Sequence, residues 1–108
     1  MKLLVAIVQN NDANGLRDEL SAGEFSSTKL ASTGGFLREG NTTFLIGVED
    51  DKVERVKALI RKTCKERTKL MPTQAYLNGG ESLFAAPMEV SVGGAVVFVL
   101  PLDEIIRL

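Results

Sequence analysis

Residues 34–40 place three glycines and an aromatic ring in one short segment, GGFLREG. Glycines let a backbone approach a ligand closely and point several N–H groups at it. Phe36 lies on the predicted turn, where its ring can stack on a base. Asn41 follows with an amide that suits a purine edge, among neutral hydroxyl side chains. These residues suit a nucleotide contact, but on local pattern alone the commoner interpretation is a plain hairpin turn whose Phe36 caps the core, because such turns are common.

Other kinds of chemistry find little support in the chain. It has no histidine, and neither GxxxxGK[ST] nor GxGxxG occurs. No nucleophile has a recognisable base, so we expect a protein that is not an enzyme. The acidic residues 49–51 resemble a metal pair but also suit a helix start, and we expect neither a metal nor a cofactor. The single cysteine, Cys64, falls on the apolar stripe of a predicted helix and belongs to the core.

Length and composition predict one domain spanning residues 1–108. The chain is 44% apolar and 25% charged, which is ordinary for a globular protein with a real core. A net charge of −1 argues against a nucleic acid polymer as partner. The longest apolar run covers residues 3–8, far short of the roughly 20 residues that span a membrane. With one cysteine and no secretory signal, the sequence favours a cytoplasmic protein without membrane insertion.

Hydrophobic periodicity predicts the order strand, helix, strand, strand, helix, strand. The predicted strands cover residues 2–9, 25–33, 41–48 and 88–100, and the helices cover about 10–21 and 52–66. We expect residues 10–12 and 50–51 to cap the helices and residues 101–106 to form a last helical turn. Two interleaved strand-helix-strand crossovers give an α+β, ferredoxin-like βαββαβ sandwich with helices on one sheet face.

Two further features of this fold bear on assembly and movement. Residues 72–87 form a loop that is long for a compact domain, and loops of this length are usually functional or disordered. The sheet face away from the helices needs a cover, for which Val5, Ile7, Leu45 and Val97 are the candidates between subunits.

The long segment of residues 28–43, TKLASTGGFLREGNTT, resembles the signature of the PII-like cyclic di-AMP receptor proteins of Gram-positive bacteria. Residues 1–9, the LIGVED segment at 45–50 and the VGGAVVFVLP segment at 92–101 are similar to that family as well. The resemblance therefore extends over essentially the whole chain.

The resemblance implies a PII-like homotrimer that binds cyclic di-AMP between subunits and relays it to an unknown downstream protein by loop rearrangement. It also implies a short loop after the second strand and a long, mobile loop before the last strand, and residues 34–40 and 72–87 fit these two lengths. Carried over by position, Thr28 and Asn41 hydrogen bond the nucleotide. Gly35, Phe36 and Leu37 contact it through amides and apolar surface, and Gly47 permits close approach.

This chain departs from the resemblance at Ser26, where well-studied members often have a ligand-contacting arginine. Serine removes a cation there, so Ser26 stays an uncertain site residue. The departure leaves open a sensor that reads an adenine mononucleotide or a protein partner instead. A small trimeric enzyme or metal-tolerance protein of the same fold is the remaining alternative.

Overall fold

The computed structural model describes residues 1–32, 40–71, 74–76, 82–84 and 88–108. A short 3₁₀ turn, Asp50–Lys52, leads into the second helix. The helices and strands in chain order are β1 (Lys2–Gln9), α1 (Asn10–Ala22), β2 (Ser27–Ser32), β3 (Asn41–Val48), α2 (Val53–Cys64), β4 (Arg67–Met71), β5 (Gln74–Tyr76), β6 (Ser82–Phe84), β7 (Met88–Val92) and β8 (Ala95–Pro101).

The main sheet has the strand order β2-β3-β1-β8. Every neighbouring pair in it is antiparallel, and β1 pairs with both β3 and β8. The uninterrupted apolar sequence of β1 suits this central position. Order and direction match the ferredoxin-like sandwich and confirm the predicted PII-like α+β fold, with further strands inserted between α2 and β8.

One face of the sheet packs against both helices and forms the core. Alternate residues of β1 and β3 are buried there, because side chains of a strand point to opposite faces in turn. The helices meet where Gly15 of α1 lies against Thr63 of α2. A Cβ added to Gly15 would lie 3.4 Å from Cγ2 of Thr63. The fully buried side chains with the largest volumes are Phe44, Leu4, Leu16, Leu20, Ile46, Val8, Val56 and Cys64.

The opposite sheet face is apolar and only half-buried. Val5 and Ile7 of β1 lie on it, with Leu45 of β3 across from Val5. The prediction for Val97 was wrong: its partner is the buried Ala6, so it packs against the core on the helix side. Strand alternation instead places its neighbour Phe98, 42% exposed, on the open face.

The strands β4 and β7 form a separate antiparallel ladder, called the arm below. The sequence analysis missed β4, because its mixed basic and polar residues show no alternating pattern. Within the predicted long loop, β5 and β6 pair with each other. The rest of residues 72–87 lies outside the described residues.

The base of the arm is attached to the start of α1. Arg67 of β4 forms a salt bridge with the buried Asp12, with 2.9 Å between Nη2 and Oδ1. This hydrogen bond from the side chain raises the pKa of Arg67. Gly93, at the turn from β7 to β8, donates its N–H to the Gln9 side chain. Its φ of +84° is a conformation that favours glycine.

The predicted helix caps were wrong in detail. Gln9 is the N-cap of α1 and makes no capping hydrogen bond through its side chain, while Asp12 lies in the first turn. Asp50 and Asp51 belong to the 3₁₀ turn rather than capping α2. Residues 102–108, called the tail below, form no helical turn.

We expect Cys64 to resist alkylation in the folded protein. It is 1% exposed, and burial, reinforced by the charge of Asp12, raises the pKa of its thiol to about 12 despite Arg67. Alkylation requires the thiolate. Iodoacetamide at about pH 8 should therefore label the native chain slowly and the urea-unfolded chain fully, as mass spectrometry can measure.

The same pKa shift predicts how stability depends on pH. Above the ordinary thiol pKa, the unfolded chain loses a proton that the folded chain keeps, so this contribution to stability falls as pH rises towards about 12.

In the alkylation experiment, rapid labelling of the native chain by iodoacetamide, at a rate unrelated to unfolding, would contradict the burial of the Cys64 thiol.

Candidate functional site

A cleft of about 550 Å³ opens at the end of the sheet where β1 begins and β3 ends. Its walls are the segment that leads into β2, the last residues of β3, the start of β1 and the tail. Three of the predicted site residues, Ser26, Thr28 and Gly47, line it together. They come from two neighbouring strands, since Thr28 of β2 pairs with Leu45 of β3, two residues before Gly47.

Gly47 lets the tail approach the sheet. A Cβ added there would lie 2.8 Å from Cδ1 of Ile105 and 3.6 Å from Cδ2 of Leu102. The tail is attached at its start, where the Leu102 N–H donates to the Met1 carbonyl at 3.1 Å. A glycine inside a strand often marks such a close approach. A larger residue at this position would require the Ile105 side chain to shift.

The polar character of the cleft is mixed. Ser26 and Thr28 offer neutral hydroxyl groups, which can donate to or accept from a base or phosphate. Charged side chains of both signs also line it; they are Glu24, Glu49, Lys52, Glu104 and Arg107. The N-terminal ammonium of Met1 is paired with Asp50 at 3.1 Å.

Asn41 does not join this group within one subunit. It begins β3, opposite Gln9, whereas Gly47 lies six residues further along the same strand, opposite Leu3. At about 3.3 Å per residue, the two positions are about 20 Å apart. Asn41 is buried, with 4% of its surface exposed. Gly35, Phe36 and Leu37, the other predicted contacts, lie outside the described residues.

The Asn41 end of β3 is connected to the start of α1. The backbone N–H of Asn10 donates to the Gly40 carbonyl at 2.9 Å. The side chains of Asn10 and Thr42 are hydrogen bonded at 2.6 Å. These contacts hold the end of the glycine-rich segment two residues from Asp12, which anchors the arm through Arg67.

The sequence analysis missed the part of the cleft that the tail supplies. Ile105 and Arg107 line the cleft, and so does Lys52 of the 3₁₀ turn. The tail has no periodicity from which its place could be read. The signal that was available is Gly47, a glycine within an apolar strand, which indicates that another part of the molecule comes close.

Comparison with known proteins supplies the decisive observation. A family model described as "Cyclic-di-AMP receptor" matches residues 1–108, the whole chain. The chain belongs to the cyclic di-AMP receptor family. This confirms the resemblance that residues 28–43 carry. The family is one of binding proteins that act in signalling.

One solved structure is similar to this chain over nearly the full length of both proteins. It is the crystal structure of a functionally unknown protein from Pediococcus pentosaceus ATCC 25745, with 42% sequence identity and a TM-score of 0.79. The match covers 99% of this chain and 96% of that one. The fold is therefore shared, while that protein adds no function.

Two other features are absent from the described residues, a metal site and a membrane-spanning helix. No group of cysteine and acidic side chains among them is arranged to hold a metal ion. In the same part of the chain, neither helix is long and apolar enough to cross a membrane.

Proposed function

We propose that this chain is a cytoplasmic, non-enzymatic receptor that binds cyclic di-AMP through the cleft at Thr28 and Gly47. The observation that carries the proposal is that the cleft brings together Ser26, Thr28 and Gly47 in a chain whose whole length matches the receptor family. Hydroxyl groups suit the ligand's bases and phosphates, and Gly47 lets the tail close one wall of the cleft.

We also propose that the complete site lies between two subunits of a homotrimer. Gly47 lies at one end of β3, beside Thr28 of β2, and Asn41 lies at the other end, so one subunit presents two half-sites rather than one site. A second copy that brings its Asn41 end, with Gly35, Phe36 and Leu37, to the cleft of the first completes the contacts. Cyclic symmetry then repeats the same site at every interface.

The open sheet face supports assembly from copies of this chain. Val5, Ile7 and Leu45 form a half-buried apolar surface there. Phe98 and Leu100 of β8 extend it, at 42% and 45% exposure. Apolar patches of this kind mark interaction surfaces. A second copy offers a matching apolar surface, so we assign this face to the trimer interior.

The relay to an unknown downstream protein is proposed to run through residues 72–87 and the arm. The glycine-rich segment ends at Gly40, which is hydrogen bonded to Asn10. Asp12, two residues after Asn10, anchors the arm through its salt bridge with Arg67. A ligand contact at the Asn41 end of β3 would therefore act on residues next to the base of the arm.

Calorimetric titration tests the function, with cyclic di-AMP, cyclic di-GMP and ATP as ligands. On the walls of the described cleft that β2 and β3 supply, Ser26 and Thr28 offer neutral hydroxyl groups, whereas a guanine edge is suited by bidentate arginine; the one arginine that lines the cleft, Arg107, comes from the tail. We expect cyclic di-AMP to bind at least about tenfold more tightly than cyclic di-GMP, a difference of about 1.4 kcal/mol. Equal affinities would contradict the adenine assignment. Binding of ATP alone would show a sensor of another adenine nucleotide.

A further inference from the structure

The charges on the cleft wall do not by themselves favour an anionic ligand. Three carboxylates line the cleft, from Glu24, Glu49 and Glu104, against two cationic side chains, Lys52 and Arg107. A cyclic dinucleotide carries two phosphate charges. In a partly desolvated cleft, where opposite charges interact more strongly than in bulk water, such a ligand requires a cation close to its phosphates.

Arg107 is the cation that the geometry favours. Within the part of the chain that the structure describes, neither Arg107 nor Lys52 forms a salt bridge. Arg107 belongs to the tail, which Ile105 places directly against Gly47. A guanidinium group can bind a phosphate through two parallel hydrogen bonds, whereas an ammonium acts as a point charge.

From these observations we propose that Arg107 binds a phosphate of the ligand and that Ile105, seated on Gly47, positions the tail for this contact. The inference rests on the proposed cyclic di-AMP binding and names a residue of that site which the resemblance did not supply. It gives the cleft a cation although Ser26 carries none. Glu104, on the same tail, opposes the same ligand by charge repulsion.

The test is calorimetric titration of cyclic di-AMP into the full chain and four variants. Arg107→Gln is expected to weaken binding at least about tenfold, or about 1.4 kcal/mol. Glu104→Gln should bind as tightly as the parent or more tightly. Lys52→Gln should lose less than Arg107→Gln. Arg17→Gln is the matched control, because Arg17 is exposed on α1 beside Asp18 and does not line the cleft.

Two further measurements separate a phosphate contact from a packing effect. Melting temperatures should be equal for the parent and Arg107→Gln, because the side chain is exposed and forms no salt bridge with the described residues. The affinity gap between them should narrow in about 0.5 M salt, which screens partly exposed charges.

The possible results discriminate between the two proposals. If the parent binds cyclic di-AMP and Arg107→Gln binds equally well, the role of Arg107 is overturned while the receptor function stands. A loss for Lys52→Gln that equals or exceeds the loss for Arg107→Gln overturns it too. If the parent itself does not bind cyclic di-AMP, the proposed function fails and this inference fails with it.

Discussion

Two variants that each bind cyclic di-AMP poorly are expected to regain binding when they assemble together. Gly47→Val is expected to damage one half-site, because a Cβ there would lie 2.8 Å from Cδ1 of Ile105 and the two further methyl groups would displace that side chain into the cleft. Combining Phe36→Ala with Asn41→Ala damages the other half-site. Phe36→Ala and Asn41→Ala should each cost at least about fivefold in cyclic di-AMP affinity. Phe36→Ala removes a base stack, and Asn41→Ala leaves a base edge unpaired.

Co-assembly restores sites only if each site takes its halves from different subunits. In a randomly mixed trimer of equal amounts, about a quarter of the clefts combine two intact halves. Refolding the two variants together should therefore produce about a quarter of the parent's sites, at the parent's affinity. Calorimetric stoichiometry measures this number directly.

The controls for this experiment are each variant refolded alone and the two mixed without refolding. Sedimentation should show trimers near 35 kDa in every sample, given 11.7 kDa per chain. Melting curves must show that the double variant folds, since Asn41 is buried. Trimers that form and yet regain no sites would place the whole ligand site within one subunit.

Much of the fold followed from local patterns, because its central elements carry strong ones. The prediction for β3 at residues 41–48 matches Asn41–Val48, where alternate residues are buried. In α2, Cys64 lies on one buried face with Val56 and Ile60 at helical spacing, which confirms its predicted place on the apolar stripe. The face of Val97 was assigned wrongly, because β8 is apolar on both faces and only its pairing with β1 decides which side a residue takes.

The candidate site was less accessible to sequence reasoning, because it depends on contacts between distant parts of the chain. Thr28 and Gly47 meet because β2 and β3 are paired. Ile105 and Arg107 reach the cleft because Leu102 bonds to Met1 and Gly47 leaves space. No local propensity encodes either of the tail's contacts.

Replacing Phe44 should produce the largest loss of stability that we expect. Phe44 is fully buried and lies midway along β3, between Asn41 and Gly47, opposite Ala6 of β1. Phe44→Ala leaves a cavity between sheet and helices and should cost about 3–5 kcal/mol. At about 4 °C or more per kcal/mol, the melting temperature should fall by at least about 12 °C. Phe44→Leu is the matched control and should lose less.

The same variant separates the core from the cleft. The ring of Phe44 faces the helices, whereas Gly47 lies on the other side of the strand. Affinity for cyclic di-AMP per folded molecule should therefore stay at the parent's value. Ligand at about 100 times its Kd should return about 2.7 kcal/mol of stability, measured by urea melts at one protein concentration. A weaker affinity in the folded variant would mean that packing behind β3 shapes the cleft directly.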